Sequence, residues 1–305
     1  MNEQTPTLLL SGVTKRYDEF TAVNNLSFEV KSGRVFGFLG PNGAGKTTTI
    51  RMIVNITIPD QGSIKLFGQH INQELQDKIG YLPEERGLYK KMKISDQLRF
   101  FGALKNLSHK QIEDGIDYWI ERVELKDWKD KKANELSKGM QQKIQFIAAV
   151  LHDPDVLILD EPFSGLDPIN VKLLKEIILE QKARGKTIIF STHQMETAEK
   201  LCDDICLINH SKKVLSGSLR EVKKSFGQNA VALRAEGGNE VLSDENLVSK
   251  ITEHSDEMEV LLKPDANHQE LLQRLVASGA VITKFELIEP SLNDIFITKV
   301  QESNR

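Results

Sequence analysis

The stretch Gly40-Pro41-Asn42-Gly43-Ala44-Gly45-Lys46-Thr47 matches the pattern G-x-x-x-x-G-K-[ST]. It follows the apolar run Val35–Leu39 and precedes apolar residues at helical spacing, so it lies between a predicted strand and a predicted helix. Glycines let the backbone wrap closely around phosphate oxygens, and the amino-terminal end of the next helix carries partial positive charge. Lys46 adds a point charge for the β- and γ-phosphates, and the hydroxyl of Thr47 suits Mg²⁺. The residues predicted to bind the nucleotide here are Gly40, Pro41, Asn42, Gly43, Ala44, Gly45, Lys46, Thr47 and Thr48.

A second motif comes further along the chain, where the apolar run 156–159 ends in Asp160 and Glu161. An apolar run of this length is typical of a strand that is buried on both faces. Asp160, at the carboxyl end of such a strand, is placed to hold Mg²⁺. Glu161 is one residue further on and therefore points elsewhere, which suits it to orient a water in line with the γ-phosphate.

The pattern around these motifs indicates the fold class. The first third reads as short strands and turns, residues 84–135 have helical periodicity, and helices alternate with strands from Ser137 onward. Strands that alternate with helices favour a parallel sheet with both faces covered. After Gly227, strands at Ala230–Arg234, Met258–Leu262 and Val281–Leu287 and a helix at 267–278 predict a small α+β domain. The helix at 219–226 is predicted to be the last one of the first domain.

A third motif, Leu136-Ser137-Lys138-Gly139-Met140-Gln141-Gln142-Lys143, resembles the L-S-G-G-Q signature of ATP-binding cassette (ABC) proteins. Its place between the phosphate loop and the strand that ends in Asp160 is also the order of that family. The run Ser164-Gly165-Leu166-Asp167 resembles the family's D-loop, His193 its switch histidine, and Tyr17 the aromatic residue that stacks on adenine. The resemblance covers residues 7 to about 217.

The resemblance implies an α/β fold with a RecA-like P-loop core, an antiparallel β subdomain and a helical subdomain at about 84–140. It implies a MgATP-hydrolysing domain at 7–217, followed here by the small α+β accessory domain at 228–305. Glu161, His193 and Glu84 are the catalytic candidates, and Thr47, Asp160 and Glu84 the candidates near the metal. Each ATP is expected between the P-loop of one subunit and the signature of another. The further nucleotide-binding candidates are Tyr17, Val23, Ser137, Gly139, Gln141 and Asp167.

The chain departs from the family pattern at three positions. Glu84 stands where the Q-loop usually has Gln; it can face Mg²⁺ but cannot donate a hydrogen bond to the attacking water. Lys138 and Met140 replace the commoner Gly and Gln of the signature. Lys138 either adds positive charge near a partner's γ-phosphate or is a solvent-facing lysine. These departures, and the run 290–296 (PSLNDIF), resemble the branch with sodium exporters and multidrug-efflux subunits.

Composition limits the possible partners. The net charge is −4, which gives no reason to expect nucleic acid, and no apolar run approaches the ~18 residues of a membrane helix. The resemblance to ABC proteins implies a homodimer or a paired cassette subunit, bound peripherally to a separate integral membrane permease on the cytoplasmic side of the cell membrane. The alternatives are a cytosolic ABC-class ATPase acting on ribosomes or DNA, and a P-loop GTPase or kinase. Only about 90 residues separate Lys46 from Ser137, without heptads or a cysteine cluster, which disfavours the DNA-repair type.

Overall fold

The computed structural model describes residues 5–85, 87–226, 230–253, 256–263 and 265–303. The chain divides into two compact units, Met1–Ser216 and Gly217–Arg305. The helix α8 (Leu219–Ser225) therefore belongs to the second unit, whereas the sequence pattern assigned it to the first. Gly227, predicted to end that helix, and residue 228, the predicted start of the accessory domain, lie outside the described residues. No helix among the described residues is long and apolar enough to cross a membrane.

An antiparallel sheet of four strands forms one part of the first unit, in the order β2-β1-β4-β5. These strands are β1 (Leu8–Tyr17), β2 (Phe20–Val30), β4 (Gln61–Leu66) and β5 (Gln69–His70). Leu8, Leu10 and Val13 of β1 are fully buried, as the predicted β subdomain requires. The sheet ends in a tight turn, at which Tyr17 pairs with Phe20 and both aromatic side chains are exposed.

A six-stranded sheet forms the core of the first unit, in the order β10-β9-β3-β8-β7-β6. The strands are β3 (Val35–Leu39), β6 (Ile79–Leu82), β7 (Val156–Asp160), β8 (Thr187–Thr192), β9 (Asp204–Asn209) and β10 (Lys212–Ser218). β3, β8 and β7 are parallel neighbours. Because the carboxyl ends of parallel strands meet at one edge, the residues that follow these three strands come together there. This arrangement confirms the predicted RecA-like core.

Four helices of the first unit lie between strands of its two sheets. They are α1 (Lys46–Ile53), α2 (Gln73–Asp77), α6 (Pro168–Ala183) and α7 (Met195–Leu201). The start of α6 follows from its sequence, because Asp167 caps the helix and Pro168 occupies a first-turn position where no amide donor is needed.

The helical subdomain contains α3 (Ile94–Leu104), α4 (His109–Arg122) and α5 (Lys138–Val150). A capping box between Ser108 and Gln111 starts α4, whose buried side chains include Ile116 and Trp119. α5 is the first of the helices that the sequence predicted to alternate with strands from Ser137 onward, and Ser137 caps it. The predicted subdomain range of about 84–140 includes only its first three residues.

The second unit is a four-stranded antiparallel sheet with helices, in the strand order β12-β13-β11-β14. After α8 its elements are β11 (Ala230–Glu236), α9 (Asn239–Leu242), β12 (Val248–Glu253), β13 (Met258–Leu262), α10 (His268–Ala277), β14 (Val281–Ile288) and α11 (Leu292–Ser303). Val231, Leu233 and Val260 of the sheet share a core with Leu271 and Leu275 of α10. The predicted α+β class is correct, but α9, β12 and α11 were not predicted.

Candidate nucleotide site

The loop before α1 is shaped by close backbone approach. Gly45 has a φ of 104°, and a Cβ there would lie 2.3 Å from the carbonyl oxygen of Ala22, so only glycine fits. The ammonium group of Lys46 donates to the carbonyl oxygens of Gly40 at 2.8 Å and Pro41 at 3.2 Å. The side chain of Lys46, which is expected to bind phosphate, is therefore hydrogen-bonded to its own loop.

A cavity of about 410 Å³ opens above this loop. Its lining residues are Phe20, Ala22, Asn42, Gly43, Gly45, Lys46, Thr47, Thr48, Glu84 and Glu161. The predicted residues Val23, Gly40, Pro41 and Ala44 do not line it. Val23 and Ala44 are buried, and the carbonyl of Pro41 accepts a hydrogen bond from the amide of Ala44. The predicted phosphate loop and two of the predicted carboxylates thus share one cavity.

Asp160 is fully buried at the end of β7. The hydroxyl of Ser191 donates to its Oδ1, while its Oδ2 is buried with no hydrogen-bond partner among the described residues. Burial raises the pKa of Asp160, and the hydrogen bond from Ser191 opposes this shift. A buried carboxylate oxygen without a donor is a suitable ligand for a cation.

Mg²⁺ fits this donor set. It usually binds through one or two carboxylates, several waters and the phosphates of the substrate. Within the described part of the chain, no cluster of three or more His, Cys, Asp or Glu residues is built to hold a metal alone. Asp160 and Thr47 offer two oxygen ligands, which suits a Mg²⁺ ion that binds together with a nucleotide.

Glu161 occupies a strained position with three polar neighbours. Its φ of 47° lies in the left-handed region, which costs a non-glycine residue roughly 1–2 kcal/mol. Its amide donates to the Oγ of Ser191 at 3.0 Å. Its Oε1 lies 3.4 Å from the Nζ of Lys46 and 3.0 Å from the Nδ1 of His193. The structure therefore brings together the three residues predicted to act on the γ-phosphate.

Glu84 lines the same cavity as Glu161 and is exposed. Its Oε2 accepts a hydrogen bond from the hydroxyl of Thr47 at 3.3 Å. Both are residues that the sequence placed near Mg²⁺. The substitution of Gln by Glu thus leaves an acceptor directly beside the end of the phosphate loop.

The aromatic residue that lines the cavity is Phe20, with 60% of its surface exposed, and not Tyr17. Tyr17 is also exposed, and the Nζ of Lys15 lies 5.6 Å from the centroid of its ring. Sequence reasoning missed Phe20. A signal was available, because two aromatic residues that flank the short turn Asp18-Glu19 end up side by side on a hairpin.

The signature segment is the exposed start of α5. Ser137 caps the helix, and its Oγ accepts a hydrogen bond from the amide of Met140 at 3.2 Å. Ser137 and Lys138 are both exposed. None of residues 136–143 is among the described residues that line the cavity. Within a single chain, the structure therefore does not bring the signature to the phosphate loop.

Two further candidates have internal partners. The amide nitrogen of Gln141 donates to the carbonyl oxygens of Ala133 at 3.1 Å and Leu136 at 2.9 Å. The side-chain amide of Gln141 therefore holds the loop before the signature, and its contact with a nucleotide stays a prediction. Asp167 accepts hydrogen bonds from the amides of Ile169 and Asn170 at 3.0 Å each, and the one from Asn170 contributes most to lowering the pKa of Asp167.

Comparison with known proteins identifies the family. Residues 23–164 match the family model described as ABC transporter. The chain is 45% identical to the uncharacterized ABC transporter ATP-binding protein YhaQ of Bacillus subtilis, over 96% of this chain and 98% of that protein. The chain belongs to the ABC transporter ATP-binding proteins. As a member of this family it binds and hydrolyses ATP.

Other similarities extend to the second unit and to solved structures. Residues 217–300 match the model described as the C-terminal domain of ATP-binding protein DrrA1-3-like. Nod factor export ATP-binding protein I of Rhizobium sp. is 35% identical over 94% of this chain and 95% of its own length. A solved structure of an ATP-binding subunit of an ABC transporter aligns with a TM-score of 0.68 at 30% identity, covering 72% of this ABC protein and 93% of that chain.

Proposed function

We propose that this chain is the ATPase subunit of an exporter and works as a head-to-tail pair, most simply a homodimer. One observation carries the proposal: the cavity with Lys46 and Glu161 and the exposed signature of α5 occupy different places on the same chain. The amino-terminal end of a helix attracts anions, so Ser137–Gly139 of a second copy can complete the phosphate pocket of the first. Closure on ATP is favoured because only the closed pair contacts the γ-phosphate from both sides.

The residues of the cavity support a direct mechanism. Glu161 orients the attacking water and accepts its proton, Lys46 binds the β- and γ-phosphates, and His193 holds the γ-phosphate or the water. Thr47 and Asp160 would hold Mg²⁺ with Glu84 beside them, and the ion would neutralise phosphate charge. Glu84 can accept a hydrogen bond from a water but not donate one, so orientation of the water falls mainly to Glu161 and His193.

A second cavity, of about 340 Å³, is our candidate docking site for the permease. We define this docking cleft by its lining residues Val54, Ile56, Gln73, Gln76, Ile79, Tyr81, Lys105, Ala148, Ala149 and His152. Ile56 is 62% exposed and Ile58 of the same loop is 73% exposed, which favours an apolar partner. Burial lowers the pKa of His152 to about 4, and its Nδ1 is buried without a partner among the described residues.

The docking cleft lies beside the helical subdomain that follows Glu84, where ABC subunits receive a helix of the permease. We therefore propose that an integral membrane permease binds here and holds the chain peripherally on the cytoplasmic side of the cell membrane. We also propose catalytic and accessory domains at 7–217 and 228–305. A cytosolic ABC-class ATPase acting on ribosomes or DNA is the alternative; the similarity to a Nod factor export protein over 94% of the chain favours export.

A mixing experiment tests the shared site. Lys46→Ala and Ser137→Arg should each abolish turnover, the first in the phosphate loop and the second in the signature. Mixed in equal amounts, they should recover part of the parental rate, because a mixed pair contains one site with an intact loop and an intact signature. Phosphate release at saturating MgATP measures this. A mixture that stays as inactive as its components contradicts the head-to-tail pair.

The docking cleft is tested by co-purification. We expect the chain, co-expressed with a hydrophobic protein encoded by the adjacent gene, to purify with it from detergent-solubilised membranes. Ile56→Glu should abolish the association, because it buries a charge in an apolar interface. Ile169→Glu, at another exposed isoleucine, on α6, is the control and should leave the association intact. Recovery of no integral membrane protein contradicts the transporter proposal but leaves the shared ATP site untouched.

A further inference from the structure

Two lysine-rich segments lie side by side in the first unit, and we name them the lysine ribbon: residues 90–93 and 129–132. The amide of Ile94 donates to the carbonyl of Lys131 at 2.9 Å, and the amide of Ala133 donates to that of Met92 at 3.2 Å. Lys93 and Lys132 form an antiparallel bridge. Segments that are about 40 residues apart in the sequence thus form one surface.

The lysine ribbon concentrates positive charge. It contains six lysines and one aspartate, a net charge of +5 in a chain whose net charge is −4. Lys129 pairs with Asp117 at 2.5 Å, and Asp130 accepts a hydrogen bond from Ser95. The remaining lysines are exposed and form no ion pair within the described parts of the chain; they are Lys90, Lys91, Lys93, Lys131 and Lys132.

Repulsion among these lysines costs stability, and the carboxylate beside them, that of Glu135, accepts a hydrogen bond from the backbone amide of Lys132 at 2.9 Å. Like charges directly opposite each other on neighbouring strands are destabilising, and Lys93 and Lys132 are such a pair. Lys90 and Lys91 lie in the turn that the amide of Met92 closes by donating to the carbonyl of Tyr89 at 3.0 Å, and they add two more ammonium groups to the ribbon. A layer of external anions would relieve this repulsion.

Exposed apolar side chains adjoin the lysine ribbon. Tyr89, immediately before it, is 54% exposed, and its ring lies 6.0 Å from that of Phe100, which is also exposed. Leu104, one helical turn after Phe100 on α3, is 61% exposed. We name Tyr89 and Phe100 the aromatic cluster. Lysines next to exposed aromatic and aliphatic side chains are the composition that suits a membrane–water interface.

We propose that the lysine ribbon and the aromatic cluster bind the surface of an anionic phospholipid membrane directly. Recognition of a carboxylate or a single phosphate by geometry usually uses the planar guanidinium group of arginine. The basic residues of the lysine ribbon are all lysines. Lysine is a compact point charge, which suits a diffuse layer of headgroups. The amphipathic ring of Tyr89 suits the level of the headgroups. This contact requires no permease, so its test is independent of the transporter proposal.

The test uses the full chain, without nucleotide, and sedimentation with vesicles. We expect binding to vesicles of phosphatidylcholine with phosphatidylglycerol, no binding to phosphatidylcholine alone, and loss of most binding at high salt. The variant with Lys91→Gln, Lys93→Gln and Lys132→Gln should bind on the order of 100-fold more weakly, about fivefold for each lysine. Neutralising Lys31, Lys172 and Lys212, which are exposed and outside the ribbon, should leave binding unchanged.

A second variant, Tyr89→Ala with Phe100→Ala, should lower the binding that persists at high salt, because that part depends on apolar contact. Thermal melting of each variant shows whether the fold is retained. Equal binding of the triple variant and the parent would overturn the proposal, as would equal binding to neutral vesicles. Binding to an acidic peptide or an oligonucleotide, with no binding to anionic vesicles, would overturn it too and assign the ribbon to that partner.

Discussion

The variant Glu161→Gln should turn over ATP more slowly by a factor of about 10²–10⁴, the usual contribution of a positioned general base. The amide keeps the size of the carboxylate but cannot accept the proton of the attacking water. MgATP binding should persist, because Lys46, Thr47 and the loop amides are unchanged. The bound nucleotide should then hold two copies together, and gel filtration with MgATP should show a dimer. Phosphate release and a nucleotide titration measure the other two effects.

Glu176→Gln is the matched control for this variant. Glu176 lies on α6, is exposed and is outside the nucleotide cavity, so its turnover and elution should equal those of the parent. Omission of Mg²⁺ should return Glu161→Gln to a monomer. A variant that binds MgATP with the parental affinity and yet remains monomeric would show that ATP does not join two copies. Rapid turnover by the same variant would remove Glu161 from the mechanism.

The core of the fold could be predicted because its signals are local. The phosphate loop needs glycine at positions such as Gly45, where a side chain would collide with Ala22, and that requirement is visible in eight consecutive residues. A parallel strand buried on both faces, such as Val156–Asp160, is apolar up to its last residue. The resemblance to ABC proteins then predicted the β subdomain and the helical subdomain, because their order along the chain is characteristic of that family.

Contacts between distant residues could not be predicted in the same way. Glu161 meets Lys46 and His193 because β7 and β8 are neighbours and β3 lies next in the sheet. The sequence gives the motifs but not this strand order. Gln141 shows a second case: its place in the signature indicates a nucleotide contact, and the sequence does not show that its side-chain amide also donates to the carbonyls of Ala133 and Leu136.

The second unit was predicted less completely because its elements are weakly patterned. Val248–Glu253 contains Ser, Lys, Thr and Glu and has few apolar residues, so it does not read as a strand; its pairing with β13 stabilises it. Leu292–Ser303 contains β-branched residues that lower helix propensity. Its start is nevertheless well defined, because the amide of Asp294 donates to the hydroxyl of Ser291 and Leu292 and Ile295 are buried.

Lys46→Ala should weaken MgATP binding by at least about 10-fold, since a hydrogen bond to a charged group is worth roughly 1.5–3 kcal/mol. Lys46 also acts before the nucleotide arrives. Its ammonium holds two loop carbonyls and lies 3.4 Å from Glu161, so it keeps a buried carboxylate compensated. When ATP binds, we expect the ammonium group of Lys46 to contact phosphate oxygens in place of the Glu161 carboxylate. Glu161 then keeps only its contact with His193.

Two measurements separate these roles of Lys46. A nucleotide titration reports the phosphate contact, and Lys172→Ala, at an exposed lysine, is the control that should keep the parental affinity. Thermal melting without nucleotide reports the pairing: Lys46→Ala should be destabilised because Glu161 stays buried without its cation. Adding Glu161→Gln should restore part of that stability while turnover stays absent, since the neutral amide needs no counter-charge. A double variant no more stable than Lys46→Ala would show that the two side chains are not coupled before ATP binds.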